Sequence, residues 1–176
     1  MKKYFVLAFF GLGFLFLAGC GNKENEEAVV FFENTTELVA SVKPEVEMIS
    51  LLDFKTLYDS GDPVVIIDVR TVPEHNAGFI PYSISIPRGV LEFRIGKESV
   101  WDAEGMYPPV KEDLIIVYCK SGNRAVLAAK AIQDFGYTNV KWLEGSWLKW
   151  KENYPDMYET SIPDGAEAVA ADEGGR

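Results

Sequence analysis

Cys119 sits where an apolar run stops and a small polar loop begins. Leu114-Ile115-Ile116-Val117-Tyr118 comes first, then Cys119-Lys120-Ser121-Gly122-Asn123-Arg124, then an Ala- and Leu-rich stretch from Ala125 to Phe135. The run has the continuous apolar character of a strand buried on both faces. The stretch predicts a helix, closed by Gly136. In open α/β sheets, sites lie beyond the carboxyl ends of the strands. A loop placed there turns the unpaired N–H groups of the helix start toward a common centre, aided by the positive end of the helix dipole. A sulfur at that centre is expected to be held as thiolate, the form that acts as nucleophile. Gly122 lets the loop curl without a Cβ clash. Arg124 adds a permanent charge on a planar fork that suits oxyanions, and Lys120 adds a mobile one. The chemistry predicted is nucleophilic attack by sulfur beside a bound anion. The competing reading is a buried core cysteine followed by an ordinary Ser-Gly-Asn turn. Placement at the strand's carboxyl end favours the site.

The other of the two cysteines, Cys20, has a different context. Met1-Lys2-Lys3 is a short basic start, and Tyr4 to Phe16 is almost wholly apolar. That run has the length of a signal-sequence core and is short for a membrane span. Leu17-Ala18-Gly19-Cys20 then resembles a bacterial lipobox, in which Cys20 receives a diacylglyceryl group and becomes the first mature residue. An ordinary secretory signal or an uncleaved anchor are the plainer alternatives. The lipobox reading expects a domain lipid-anchored to a bacterial membrane and held outside the cytoplasm, on the periplasmic or extracellular face. It also leaves Cys119 as the one available thiol, so no internal disulfide is expected.

Elements that could position Cys119 are legible on either side of it. Residues 1–19 read as the signal and 20–43 as an acylated, polar, flexible tether. Residues 44–155 read as one α/β domain, and 156–176 as a solvated acidic tail. Within the domain, Ser50 and Asp53 look like the start of a helix carrying Leu51, Phe54, Leu57 and Tyr58, ended by Gly61. Val64-Val65-Ile66-Ile67, Ile84–Ile86 and Asn139–Leu143 predict further strands. Val90–Arg94 and Gly145–Asn153 predict short helices. Strands separated by helices imply a mainly parallel sheet with helices on both faces. The net charge of −10 makes nucleic acid an unsuitable partner. One histidine and two cysteines make an all-protein zinc site hard to assemble, and no metal is expected.

Three segments together resemble the rhodanese family. "CKSGNR" is close to its C-R-S-G-x-R loop. "DVRTVPEHNAGFIPYSISIP" is similar to its D-V-R-x-x-x-E segment running on to I-P. "LEGSWLKW" resembles its G-G-x-x-x-W close. The resemblance implies a doubly wound α/β fold and, without a cofactor, sulfur transfer. The Cys119 thiolate would take the outer sulfur of a donor such as thiosulfate, and an acceptor such as cyanide or a thiol would remove it from the persulfide. Lys120, Ser121, Gly122, Asn123 and Arg124 would form the substrate loop. Arg70 would sit near it and pair with Glu74, while Asp68 at a strand end would hold backbone.

The family's phosphatase relatives use Cys-x5-Arg, whereas Cys119 and Arg124 form the shorter Cys-x4-Arg, which suits a sulfur atom. Phe79 stands where the family often has histidine and Tyr82 where glycine is common. His75 is expected at the surface, and Trp142, Trp147 and Trp150 as packing anchors. The partners implied are a small sulfur donor, a thiol or cyanide acceptor, a protein thiol, and the membrane through its lipid. A module that only carries the persulfide or binds a partner protein is the alternative function. A thiol redox role is disfavoured because no resolving cysteine follows Cys119.

Overall fold

The computed structural model describes residues 31–161. The lipobox-like segment, Cys20 and the last residues of the acidic tail lie outside them. Seven α-helices, three short 3-10 helices and five strands are found among the described residues; the α-helices and strands position the site. They are α1 (Thr35–Val42), β1 (Glu47–Ile49), α2 (Leu51–Ser60), β2 (Val65–Asp68), α3 (Val72–Asn76) and β3 (Ser83–Ser85). Then come α4 (Leu91–Arg94), α5 (Glu98–Trp101), β4 (Ile115–Tyr118), α6 (Asn123–Asp134), β5 (Val140–Leu143) and α7 (Ser146–Asn153).

All strands pair in parallel, in the order β1-β5-β4-β2-β3. The expected α/β architecture with a parallel sheet is therefore present. Register sets Asp68 opposite Tyr118, so β2 and β4 end level with each other. Their next residues, Val69-Arg70 and Cys119, leave the sheet side by side.

Side chains on a strand point alternately to opposite faces. Ile115 and Val117 join a core with α6, which continues into Cys119 and includes Val39 and Trp101. Ile116 and Tyr118 join a second core with Phe54, Ile80, Leu143, Trp147 and Trp150. The β4 run is apolar throughout because both its faces are covered. Trp142, Trp147 and Trp150 are all buried, as anchors should be.

The cap of α2 forms as expected: the Asp53 N–H donates to Ser50 Oγ at 3.1 Å, and Gly61 takes the left-handed conformation at φ 71°. α3 was not anticipated, although its capping box is written in Thr71-Val72-Pro73-Glu74. The Thr71 N–H donates to Glu74 Oε2 at 2.9 Å and the Glu74 N–H returns to Thr71 Oγ1 at 3.4 Å. β1 was also not anticipated, being an edge strand with two of its three residues exposed.

Two boundaries need correction. Residues 35–42 fall in the span read as flexible tether, yet they form α1, which packs on α6 and buries Val39. Residues 156–161 fall in the span read as solvated tail. Glu159 instead exchanges backbone hydrogen bonds with Phe79 at 2.9 and 3.0 Å, and Tyr158 packs edge-on against Trp147. In both segments a few apolar residues suffice to dock a mostly polar stretch.

Trp150 closes the second core. It is fully buried, donates from Nε1 to the Met157 carbonyl at 2.6 Å, and meets the rings of Phe54, Tyr58 and Tyr154. Trp150→Ala should lower unfolding stability by about 3–5 kcal/mol, seen as a lower urea midpoint at unchanged m.

Candidate active site

The loop from Cys119 to Arg124 is mounted on α7. The Cys119 N–H donates to Ser146 Oγ at 3.3 Å, and Ser146 Oγ donates to the Leu143 carbonyl at 3.0 Å. The Trp147 and Leu148 N–H groups donate to the carbonyls of Cys119 and Lys120, each at 3.0 Å. Three backbone groups next to the sulfur are thereby fixed by the segment that follows β5. Ser146 holds a positive φ of 52° to make this mount. No local sequence signal marks Ser146, and it is a site-supporting residue that sequence reasoning missed.

Within the loop, the Gly122 N–H donates to Cys119 Sγ at 3.1 Å. Gly122 has φ 116°, and a Cβ there would lie 3.3 Å from the ring of Trp142. Only glycine meets both demands without strain. Cys119 is a free thiol with 1% of its surface exposed. Lys120 and Arg124 are half-buried, while Ser121 and Asn123 are exposed. The loop residues singled out from sequence are all brought together. A cavity of about 200 Å³ opens on them, and Cys119, Lys120, Ser121, Asn123 and Arg124 are among its lining. The Val126 N–H then donates to the Gly122 carbonyl at 2.9 Å, which starts α6.

The ion pairs around the loop differ from expectation. Arg70 does not pair with Glu74. Its Nε and Nη2 donate to the Asp68 carboxylate at 2.9 and 2.6 Å, and its Nη2 also donates to the Gly78 carbonyl at 2.7 Å. Glu74 takes Arg124 instead, through two parallel bonds of 2.8 and 2.7 Å. The reason is burial. Asp68 has no exposed surface, and an uncompensated carboxylate there would be prohibitively costly. Arg70 lies two residues on and doubles back to it. Asp68 also accepts from the Arg70 N–H at 3.0 Å, so the expected backbone-holding role is present beside the ion pair.

His75 is a second correction. Expected at the surface, it is 8% exposed, places Nδ1 2.9 Å from Asp68 Oδ2, and stacks on Phe79 at 4.2 Å. Phe79, the departure noted in the sequence, supplies the face of that stack.

Electrostatics follow the pairs. Burial alone would raise the Asp68 carboxyl, but hydrogen bonds from His75 and Arg70 hold it below the ordinary range. Burial would likewise raise Glu74, yet Arg124 and the Thr71 N–H and hydroxyl lower it to about 2. The carboxylate of Glu74 in turn raises the Arg124 guanidinium. Tyr118 is raised by burial and by the Asp68 charge. Its hydroxyl accepts from the Ile80 N–H at 3.2 Å and lies 2.9 Å from Ser83 Oγ. The Arg70 guanidinium stacks over the rings of Trp147 and Tyr118 at 4.7 and 5.4 Å. Among the described residues, no group of three His, Cys, Asp or Glu side chains could hold a metal.

A single thiol at the carboxyl end of a parallel strand, wrapped by a loop whose N–H points at the sulfur, defines a class of α/β proteins with a cysteine-centred loop. Within that class the match is specific. The model of the Rhodanese-like domain covers residues 50–153, and the chain belongs to that family.

Among curated proteins, the chain is 35% identical to a Schizosaccharomyces pombe protein provisionally named a mitochondrial thiosulfate sulfurtransferase. That match covers 61% of this chain and 81% of the relative. It is 28% identical to human thiosulfate:glutathione sulfurtransferase, over 59% of this chain and 92% of the relative. Among solved structures, it resembles a Rhodopseudomonas palustris protein of unknown function described as a possible tyrosine phosphatase. The TM-score is 0.59 and the identity 32%, covering 71% of this chain and 94% of that one.

The Glu74–Arg124 pair sets a pH expectation. Because the folded-state value lies below the ordinary 4.5, the pair's stabilisation is complete above that pH and disappears as pH falls toward about 2. Glu74→Gln should therefore flatten the loss of stability across that window, measured as denaturation midpoints between pH 2 and 6.

Proposed function

We propose that this chain is a sulfurtransferase that moves a sulfane sulfur through a persulfide on Cys119. The observation that carries this reading is the Gly122 N–H aimed at Cys119 Sγ at 3.1 Å, in a loop fixed at the carboxyl end of β4. Names of relatives that include thiosulfate sulfurtransfer support it.

In the first half-reaction the Cys119 thiolate attacks the outer sulfur of a donor such as thiosulfate. The S–S bond of the donor breaks, and sulfite leaves with the bonding electron pair. In the second, an acceptor such as cyanide or a thiolate attacks the outer sulfur of the persulfide and restores the Cys119 thiolate. This is covalent catalysis in two displacements. The Gly122 N–H stabilises the negative sulfur. Lys120 and Arg124 draw the anion into the cavity. Arg124 shares its charge with Glu74, so it also braces the loop against α3. Ser121 and Asn123 form the polar rim. Asp68 and Arg70 support the site as a buried pair.

The same proposal extends to location. Residues 1–19 act as a lipoprotein signal and Cys20 carries the lipid. The segment before α1 is the tether, and the domain works outside the cytoplasm at a bacterial membrane. The residues after 161 form the acidic tail. Cys20→Ala should then move the protein from the membrane fraction to the soluble one, and intact mass of the extracted protein should begin at an acylated Cys20.

The activity test is sulfite release from thiosulfate with cyanide. Cys119→Ala should lower it by at least about 10³-fold, as loss of a covalent nucleophile does. Equal activity in both proteins overturns the reading. Thiosulfate alone should add about 32 Da, one sulfur, to the wild type. An adduct without turnover would instead identify a persulfide carrier. Despite the likeness to a possible phosphatase, the five-position spacing from Cys119 to Arg124 leaves the loop small for phosphate. No hydrolysis of p-nitrophenyl phosphate is expected.

A further inference from the structure

The cavity that reaches Cys119 has a wall made by residues outside the family match. Thr35 and Val39 of α1 line it together with Leu127 of α6 and the loop residues. α1 ends at Val42, before the first matched residue at 50. Its placement is specified: Asn34 caps it by accepting from the Glu37 N–H at 3.0 Å, and Val39 enters the same hydrophobic cluster as Cys119. Thr35, one turn earlier on the same helical face, is exposed at the cavity's mouth.

The lining therefore has two characters. Lys120 and Arg124 make the end beside the sulfur cationic. Val39 and Leu127 make another part of the wall apolar. Thiosulfate and cyanide are small and hydrated, and an aliphatic wall does nothing for them. At about 200 Å³ the cavity has room for a body of benzene's size beside the sulfur. A second cavity, shared by Arg70, Lys120 and Lys151, does not include Cys119, so it offers no alternative approach to the sulfur.

We infer that Thr35 and Val39, with Leu127, are specificity-determining residues that select an organic thiol with an apolar body as the sulfur acceptor. This rests on the sulfurtransfer reading above. The thiol loses its proton to solvent, and its thiolate attacks the outer sulfur of the Cys119 persulfide. The S–S bond to Cys119 breaks, its electron pair returns to Sγ, and the product leaves as an organic persulfide. No external oxidant or reductant is consumed. Each methylene buried against the wall should strengthen binding by roughly fourfold.

The test uses the full chain with saturating thiosulfate and three acceptors: cyanide, 2-mercaptoethanol and phenylmethanethiol. Sulfite release gives kcat/KM, compared per concentration of thiolate. Wild type should prefer phenylmethanethiol over 2-mercaptoethanol by about tenfold or more. Thr35→Trp narrows the mouth from an exposed position and should lower the ratio of phenylmethanethiol to cyanide kcat/KM by about tenfold. Val39→Ser makes the wall polar without adding bulk and should lower the same ratio. Both are read alongside their unfolding midpoints. An unchanged ratio in both variants, or a wild type with no preference between the thiols, overturns the inference while leaving sulfur transfer intact. A change confined to kcat/KM for thiosulfate, measured separately at saturating cyanide, overturns it too, since the wall would then act on the donor. No sulfite with any acceptor overturns the parent reading, and the inference with it.

Discussion

A carboxylate with no access to water governs the arrangement around the loop. Asp68 ends β2 in register with Tyr118, fully buried. It needs compensation where it stands, and it takes Arg70 and His75. That choice leaves Glu74 for Arg124, which ties α3 to the start of α6. It also brings the Arg70 guanidinium over Trp147, whose backbone N–H holds the Cys119 carbonyl. One buried charge thus reaches the sulfur loop by two routes, through Arg124 and through the first turn of α7.

The sheet separates these tasks by face. Cys119 continues the α6 face of β4, among small residues such as Ala125 and Ala129 that let the helix approach. Tyr118, one residue earlier, points to the other face, with Trp147 in the same core and Arg70 over its ring. Alternation along one strand therefore gives the sulfur an apolar bed and gives the Arg70 charge a separate, aromatic one. The two meet only at the strand end.

What the sequence made legible follows from this division. The strand–loop–helix around Cys119 could be read because each part has a strong local cause: an apolar run, a glycine where the chain must curl, and an Ala-rich helix. The parallel order followed from alternation of strands and helices. Partner choice among charges was not legible. Arg70 and Glu74 are close in sequence, and only the burial of Asp68 decides between them. His75 looked exposed for the same reason, its burial depending on Asp68 and Phe79. α1 was hidden because only Val39 of its eight residues is buried and the surface it meets is on α6, far along the chain. β1 was hidden because pairing with β5, rather than its own composition, makes it a strand.

The near-complete enclosure of Cys119 has a consequence for where each half of the proposed cycle takes place. A persulfide places its terminal atom one S–S bond, about 2.05 Å, beyond Sγ. The sulfur being transferred is that atom in both halves, in line between Sγ and the other partner. The sulfite that leaves and the thiolate that attacks therefore occupy one and the same place, a bond length beyond a thiol that shows 1% of its surface. A single steric frame then serves donor and acceptor alike, without a second opening to the sulfur.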